Sequence, residues 1–159
     1  MPTLRIQQLD PRDRTIAEDI HGVQIAAYEQ EAKLLGVRRF PPLERTVEDV
    51  QVASQRFFGA IDDGSIVGVV SLESNEGFGS FNIASLVVMP QRQREGIGRL
   101  LLAAALGECG NVEMTVSTGA RNTPALALYA EFGFVECGRH VVGSEQLELV
   151  KLCRKRTSE

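Results

Sequence analysis

The sequence predicts an α/β (α+β) fold on one mixed sheet, with elements in the order βααβββαβαββ. Three observations carry that expectation. RFFGAIDDGSIVGVVSLE sets two β-rich runs around Asp63-Gly64, a pair that tolerates positive φ and so marks an antiparallel hairpin. FNIASLVVM is mostly apolar, as a strand covered on both faces must be, and a leucine-rich helix from Ile97 carries the chain to the next strand, NVEMTVS. Upstream, Ile16, Ile20, Val23 and Ala27 recur at helical spacing.

In chain order, TLRIQQL alternates apolar and polar residues and forms the first strand. A helix follows from Arg14 to about Ala32. LLGVRRFPPLER is an irregular connection, because Pro41 and Pro42 discourage helix before Thr46. Thr46, with Asp49 three residues on, opens a second, shorter helix through a capping arrangement. After the hairpin, SNEGFGS is loop and FNIASLVVM strand. The helix from Ile97 to about Leu106 is stopped by Gly107 and Gly110. NVEMTVS is strand and TGARNT loop, and Asn122 or Thr123 caps a helix with Pro124 in its favoured first turn. That helix ends at Gly133, and HVV and QLELVKL supply the last two strands.

A chain of 159 residues, 43% hydrophobic and 24% charged, has the size and make-up of one globular domain over 1–159, not of a disordered or fibrous chain. It has no run of about eighteen apolar residues, and its start, MPTLRIQQLDPRDR, lacks the apolar centre of a secretory signal. The expected setting is cytoplasmic, with no membrane partner. A net charge of −4 disfavours nucleic acid, and the basic run Lys151, Arg154, Lys155, Arg156 reads as a solvated tail. Cys109, Cys137 and Cys153 fit neither a disulfide framework nor a zinc site with Cys-x-x-Cys ligands. All three are expected to be reduced, packed thiols, with no metal bound.

The stretch VMPQRQREGIGRLLL puts two glycines and a cluster of arginines at the head of an apolar helix. Glycines let successive N–H groups point at one anion, and the helix adds its positive dipole end. Arg92, Arg94 and Arg99 bring full charges. The stretch is not a P-loop, since Arg99-Leu100 follows Gly98 where Lys-Ser/Thr is needed. It is not the dinucleotide fingerprint either, since Leu101 stands where the third glycine belongs.

Val88-x-Pro90 followed by Gln93-x-x-Gly96-x-Gly98 resembles the coenzyme A pyrophosphate motif of the GCN5-related N-acetyltransferases, the GNAT superfamily. Asn122, Ala125, Leu128-Tyr129 and Gly133-Phe134 fall in that family's Asn-x-x-Ala-x-x-Leu-Tyr-x-x-x-Gly-Phe pattern. The two motifs stand in the family's order and separation, over roughly residues 81 to 140.

The resemblance implies a mixed, mostly antiparallel central sheet with helices on both faces, whose fourth and fifth strands splay to admit acetyl-CoA (coenzyme A) as co-substrate. Backbone groups at Leu86, Val87 and Val88 would hold the pantetheine arm, with the Val88 N–H facing the oxyanion. Backbone at Gln93, Arg94, Glu95, Gly96, Ile97, Gly98 and Arg99 would hold the pyrophosphate, with Gly96 and Gly98 mattering more than the side chains between them. Asn122 would contact pantetheine or phosphate, or simply cap its helix. Tyr129 would touch the cofactor and act as general acid toward the departing thiolate; its bland alternative is a helix tyrosine at the core edge.

Many members carry a glutamate on the fourth strand as base, but here no acid lies between Phe81 and Met89, and Asn82 and Ser85 stand there instead. Glu73 is the candidate by location, Ser85 through a water relay, and Glu76 and His140 follow; each carboxylate and the histidine also reads as an ordinary solvated group. The acceptor would be a primary amine of a small molecule or protein, selected by AYEQEAKLLGVRRFPPLER and by VVGSEQ. Tyr28, Arg38, Arg39 and Phe40 could line its pocket, and the arginine pair would favour an acceptor bearing carboxylate or phosphate. Two alternatives stay open: a non-catalytic acyl-CoA-binding module, and an acyltransferase using another acyl-CoA. A homodimer is the commonest arrangement for small oligomers.

Overall fold

Strand β1 (Arg5–Leu9) leads through Asp13 into α1 (Arg14–Leu35), and the Asp13 carboxylate caps that helix by accepting from the N–H groups of Thr15 at 2.9 Å and Ile16 at 3.4 Å. The helix runs past the predicted Ala32 because its stop is Gly36, which takes a left-handed φ of 71° and turns its N–H back to the last turn. In the connection predicted to be irregular, Pro41–Glu44 form a short 3-10 turn. The Thr46–Asp49 capping box is present in full and opens α2 (Val47–Val52). The computed structural model describes residues 4–75 and 79–158, so the predicted loop residues 76–78, with Glu76, lie outside the described residues.

Strands β2 (Arg56–Asp62) and β3 (Ser65–Asn75) form the expected hairpin, and Asp63 and Gly64 both take positive φ, 50° and 80°. Then come β4 (Ser80–Val88), α3 (Ile97–Cys109), β5 (Met114–Gly119), α4 (Thr123–Glu131), β6 (Val135–Val142) and β7 (Leu147–Arg154). The helix α3 passes through Gly107, predicted as a stop, and ends at Gly110, whose φ of 73° closes it. A glycine inside a helix costs only about 1 kcal/mol, whereas a residue at positive φ leaves the helical conformation and ends it.

The seven strands are ordered β1-β2-β3-β4-β5-β7-β6, antiparallel throughout except for β4 beside β5. One face packs on α3 and α4 through Leu101, Leu102, Met114 and Phe134, and the other packs on α1 and α2 through Ile20, Val23, Val50 and Phe57. The parallel pair is short: Phe81, Ile83 and the residue between them match Met114–Val116, and beyond Ile83 the two strands separate. At that point the β3–β4 register slips, with Ser71 opposite Ser85 but Leu72 opposite Ile83, which leaves Ala84 as an extra residue. Such a bulge bends its strand and re-aims the following side chains. Ile83 therefore joins the core under α3 and Val87 the core under α1.

The thiols depart from expectation. Cys137 and Cys153 form a disulfide between β6 and β7, with Cα atoms 6.0 Å apart, and Cys109 alone is free. Cys137 falls in the register shift between Glu136 and Gly138, so only the pairing of the finished hairpin brings it to Cys153.

Gly68 on β3 is where α3 comes closest to the sheet: a methyl there would meet Leu101 Cδ1 at 2.9 Å, Ile97 Cγ2 at 3.1 Å and the Val87 carbonyl at 3.2 Å. Gly68→Ala is expected to destabilise the protein by about 1–3 kcal/mol, measured by urea unfolding.

Candidate active site

The gap between β4 and β5 opens into two cavities. The larger, about 550 Å³, is walled by α1, the end of β4, the start of α3 and the start of α4; the smaller, about 380 Å³, lies between α1, the bulged part of β4 and the outer half of β5. Glu31, Leu86, Asn122, Ala125 and Tyr129 line both, so the two spaces meet at these residues.

The larger cavity ends at the head of α3. Gly96 caps that helix with φ 84°, and the first helical bond runs from Leu100 N–H to the Gly96 carbonyl at 3.1 Å. The N–H groups of Ile97, Gly98 and Arg99 therefore precede the ladder and have no intrahelical acceptor. A serine or aspartate cap would occupy such donors with its own side chain, whereas glycine leaves them open. A methyl at Gly96 would have nothing within 4 Å and would project into open space. Open donors, the positive helix end and an empty approach fit a phosphate group.

The arginines are largely spoken for. Arg92 pairs with Asp62 at 2.8 Å and Glu95 at 3.0 Å, and Arg99 pairs with Glu131. Arg94 holds a left-handed φ of 65° and lines the cavity. Gly96→Ala is expected to weaken the acetyl-CoA binding that the motif resemblance implies by at least about tenfold, from forced positive φ and a methyl in the cradle. Arg94→Ala should change it less than about threefold; calorimetric titration of both variants checks the contrast.

Backbone direction along β4 follows from one bond, Met89 N–H to the Val67 carbonyl at 2.8 Å. Peptide groups two residues apart on a strand point the same way, so Val87 faces β3 while Leu86 and Val88 face the gap. Of the three residues expected to offer free backbone, Val87 contributes only to the cavity wall. The Val88 carbonyl already accepts from the Gln93 side chain at 3.3 Å, which leaves its N–H as the group turned to the gap.

Tyr129 is buried, its ring 5.4 Å from that of Phe134 in an edge-to-face pair. Burial, and then the charges of Glu31 and Tyr28, hold its phenol above the usual tyrosine range, so it stays protonated at neutral pH. Asn122 caps α4 by accepting from the Ala125 N–H at 3.3 Å while also lining both cavities, so both of its expected roles are open to it. Ser85 is buried against the smaller cavity, its hydroxyl 2.7 Å from that of Ser71 and 3.2 Å from the Gln24 amide nitrogen that donates to it.

Several expected residues stand elsewhere. Glu73 lines neither cavity; its carboxylate accepts from Asn82 at 2.8 Å and Gln55 at 3.4 Å, within a chain that continues to Thr115. His140 is exposed on β6, and Glu95 is turned onto Arg92 away from the cradle wall. Arg38 and Arg39 also lie off the smaller cavity, their backbone N–H groups fastened by the Glu145 carboxylate at 2.8–3.1 Å. Tyr28 and Phe40 do line it, packed edge to face at 5.8 Å.

Sequence reasoning missed Glu31. It is the sole carboxylate on either cavity wall among the described residues, and burial pushes its pKa up to about 7. The available signal was its place three residues after Tyr28 on the apolar side of α1.

The family model described as acetyltransferase (GNAT) domain matches residues 26–148. The chain belongs to the GNAT family. The relatives of this GNAT-family chain include the UPF0157 protein YqkA of Bacillus subtilis (strain 168), 38% identical over 130 residues covering 81% of this chain and 37% of that protein. An N-alpha-acetyltransferase of Sulfurisphaera tokodaii is 30% identical over 104 residues, covering 57% of this chain and 62% of the relative. The chain thus spans less than two thirds of either relative. In fold, the chain resembles the ribosomal-protein-S18-alanine N-acetyltransferase from Escherichia coli, with TM-score 0.76 and 17% identity over 99% of this chain and 96% of the other. It also resembles the PaiA N-acetyltransferase from Thermoplasma acidophilum, solved in complex with coenzyme A, with TM-score 0.72 and 16% identity over 98% and 99%.

Proposed function

We propose that this GNAT acetyltransferase moves the acetyl group of acetyl-CoA directly to a primary amine. The observation that carries the reading is Tyr129: a buried, protonated phenol on the wall shared by two cavities, one ending in an anion-ready helix terminus and the other without a cationic side chain among its described lining. A phosphate-bearing donor fits the first and an amine the second, and the reacting atoms would meet at the phenol.

The chain's own groups then divide the work. The open N–H groups at the start of α3 hold the pyrophosphate, the gap-facing backbone of Leu86 and Val88 takes the pantetheine arm as an added strand would, and the Val88 N–H stabilises the oxyanion. Tyr129 gives its proton to the departing sulfur. A binding module would need no acid at that point, which favours the enzyme over a non-catalytic acyl-CoA receptor. Release of free CoA thiol from acetyl-CoA across a panel of amines tests the reading. Tight acetyl-CoA binding with no turnover on any amine would sink it.

A further inference from the structure

We infer that the smaller cavity is the acceptor site and that Glu31 there both binds and deprotonates the incoming amine, which restricts acceptors to compact primary amines with an apolar body and no acidic group. The inference rests on the acetyl-transfer reading and deepens it.

Three features of the cavity carry it. First, Glu31 stands on the wall common to both spaces, together with Tyr129, so a group bound by its carboxylate lies where donor and acceptor meet. Second, the rest of the smaller cavity is uncharged and mostly apolar: Tyr28, Phe40, Pro41, Val116 and Leu149 make walls suited to a ring or branched chain, Ser85, Ser117, Thr118 and Asn122 add neutral polar groups, and the volume of about 380 Å³ suits a small ligand. Third, the charges that would welcome an acid are absent from that wall among the described residues. Arg38 and Arg39 are held by their backbone on Glu145 and do not line it, so an acceptor carboxylate would lie opposite Glu31 without a cationic partner among the described residues. An ammonium, by contrast, gives the half-buried Glu31 carboxylate a charge partner, and the described residues of that wall supply none.

The proton balance also suits this placement. Of the three protons on the bound ammonium, one passes to Glu31 and on to solvent, which frees the nitrogen lone pair. That pair forms the C–N bond at the thioester carbonyl carbon while the π pair moves to oxygen. When the C–S bond breaks, the thiolate takes the phenolic proton of Tyr129, the second nitrogen proton restores the phenol, and the third stays on the amide. The sum is ammonium plus acetyl-CoA giving amide, CoA thiol and one proton. The titratable groups facing Glu31 are Tyr28 on its own helix and Tyr129 from α4, with Arg45 acting on Tyr28. Both tyrosines are pushed up, Tyr28 to about 12, so Glu31 is the group of the three that changes charge near neutral pH. A carboxyl near 7 is a stronger base than an ordinary one, and closer to the ammonium it must deprotonate.

The test compares 2-phenylethylamine with phenylalanine, which adds one carboxylate to the same body, in wild type and Glu31→Gln. Turnover is read as thiol release, and binding by calorimetry on the CoA-saturated enzyme. The expected result is acetylation of 2-phenylethylamine at least about 30-fold more efficient than of phenylalanine, a loss of at least about 100-fold in kcat/KM in Glu31→Gln, and acetyl-CoA affinity changed less than twofold. Amine binding should weaken at least tenfold in the same variant. Equal use of phenylalanine, turnover confined to peptide or polyamine acceptors, or an unaffected Glu31→Gln would each overturn the inference. Should wild type bind 2-phenylethylamine through Glu31 yet acetylate no amine, the deprotonating role is overturned together with the transfer reading, while recognition by Glu31 stands.

Discussion

Replacing Tyr129 by phenylalanine is expected to slow CoA release by about 10²–10³-fold while leaving acetyl-CoA affinity within about threefold. The size follows from the usual contribution of a positioned general acid. The ring itself is kept, and with it the edge-to-face contact with Phe134 at 5.4 Å, so the fold should lose little. The phenol is held protonated by burial, and it gives up its proton only as negative charge builds on the sulfur beside it. The measurement is single-turnover thiol release at saturating acetyl-CoA, with affinity from calorimetry. A rate equal to wild type would place the phenol outside the chemistry and return Tyr129 to a packing role.

Glu31 makes a second expectation, visible in stability rather than rate. Its folded pKa is raised from the ordinary 4.5 to about 7 by burial. The stability it contributes is fully present below about 4.5 and is lost as pH rises through 7, because the folded protein must then ionise a carboxyl that burial disfavours. Glu31→Gln removes that loss. Relative to wild type, the variant should gain about 2 kcal/mol in unfolding free energy between pH 5 and pH 8, measured by urea denaturation at both. A difference that does not vary with pH would mean that Glu31 is not ionising in a buried place. A variant more stable yet much less active is the pattern of a site whose charge is kept for chemistry at the expense of the fold.

The elements were legible because their signals are local. The Asp63-Gly64 turn, the Thr46–Asp49 box and the Asn122 cap depend on residues within a few positions of each other, and all three are present. The errors have equally physical origins. Gly107 and Gly110 look alike in sequence, but only Gly110 takes a positive φ, 73°, and ends α3. The Cys137–Cys153 bond depends on a bulge in the β6–β7 register, which spacing along the chain does not encode.

The site divides in the same way. Gly96, Gly98, Asn122 and Tyr129 stood out as a motif because a phosphate cradle and the helix beside it are built from contiguous stretches of chain. The base did not, because proximity in sequence or on a strand says little about which carboxylate faces a cavity. Glu73, on the strand next to β4, is tied to Asn82 and Gln55, while Glu31, more than fifty residues before β4 ends, reaches the cavities because α1 lies across the gap that β4 and β5 leave open.

By itself the sequence determined the order of strands and helices, the glycine-capped turn that leaves N–H groups free, and the membership of a family built around that turn. Tertiary structure alone decided where β4 parts from β5, which backbone groups face the gap, and that one carboxylate on α1 would line both cavities with Tyr129. Local backbone preference is carried by neighbouring residues and survives without the fold. Burial and electrostatic environment are properties of what packs from a distance, and they exist only once α1, β4 and α4 have come together.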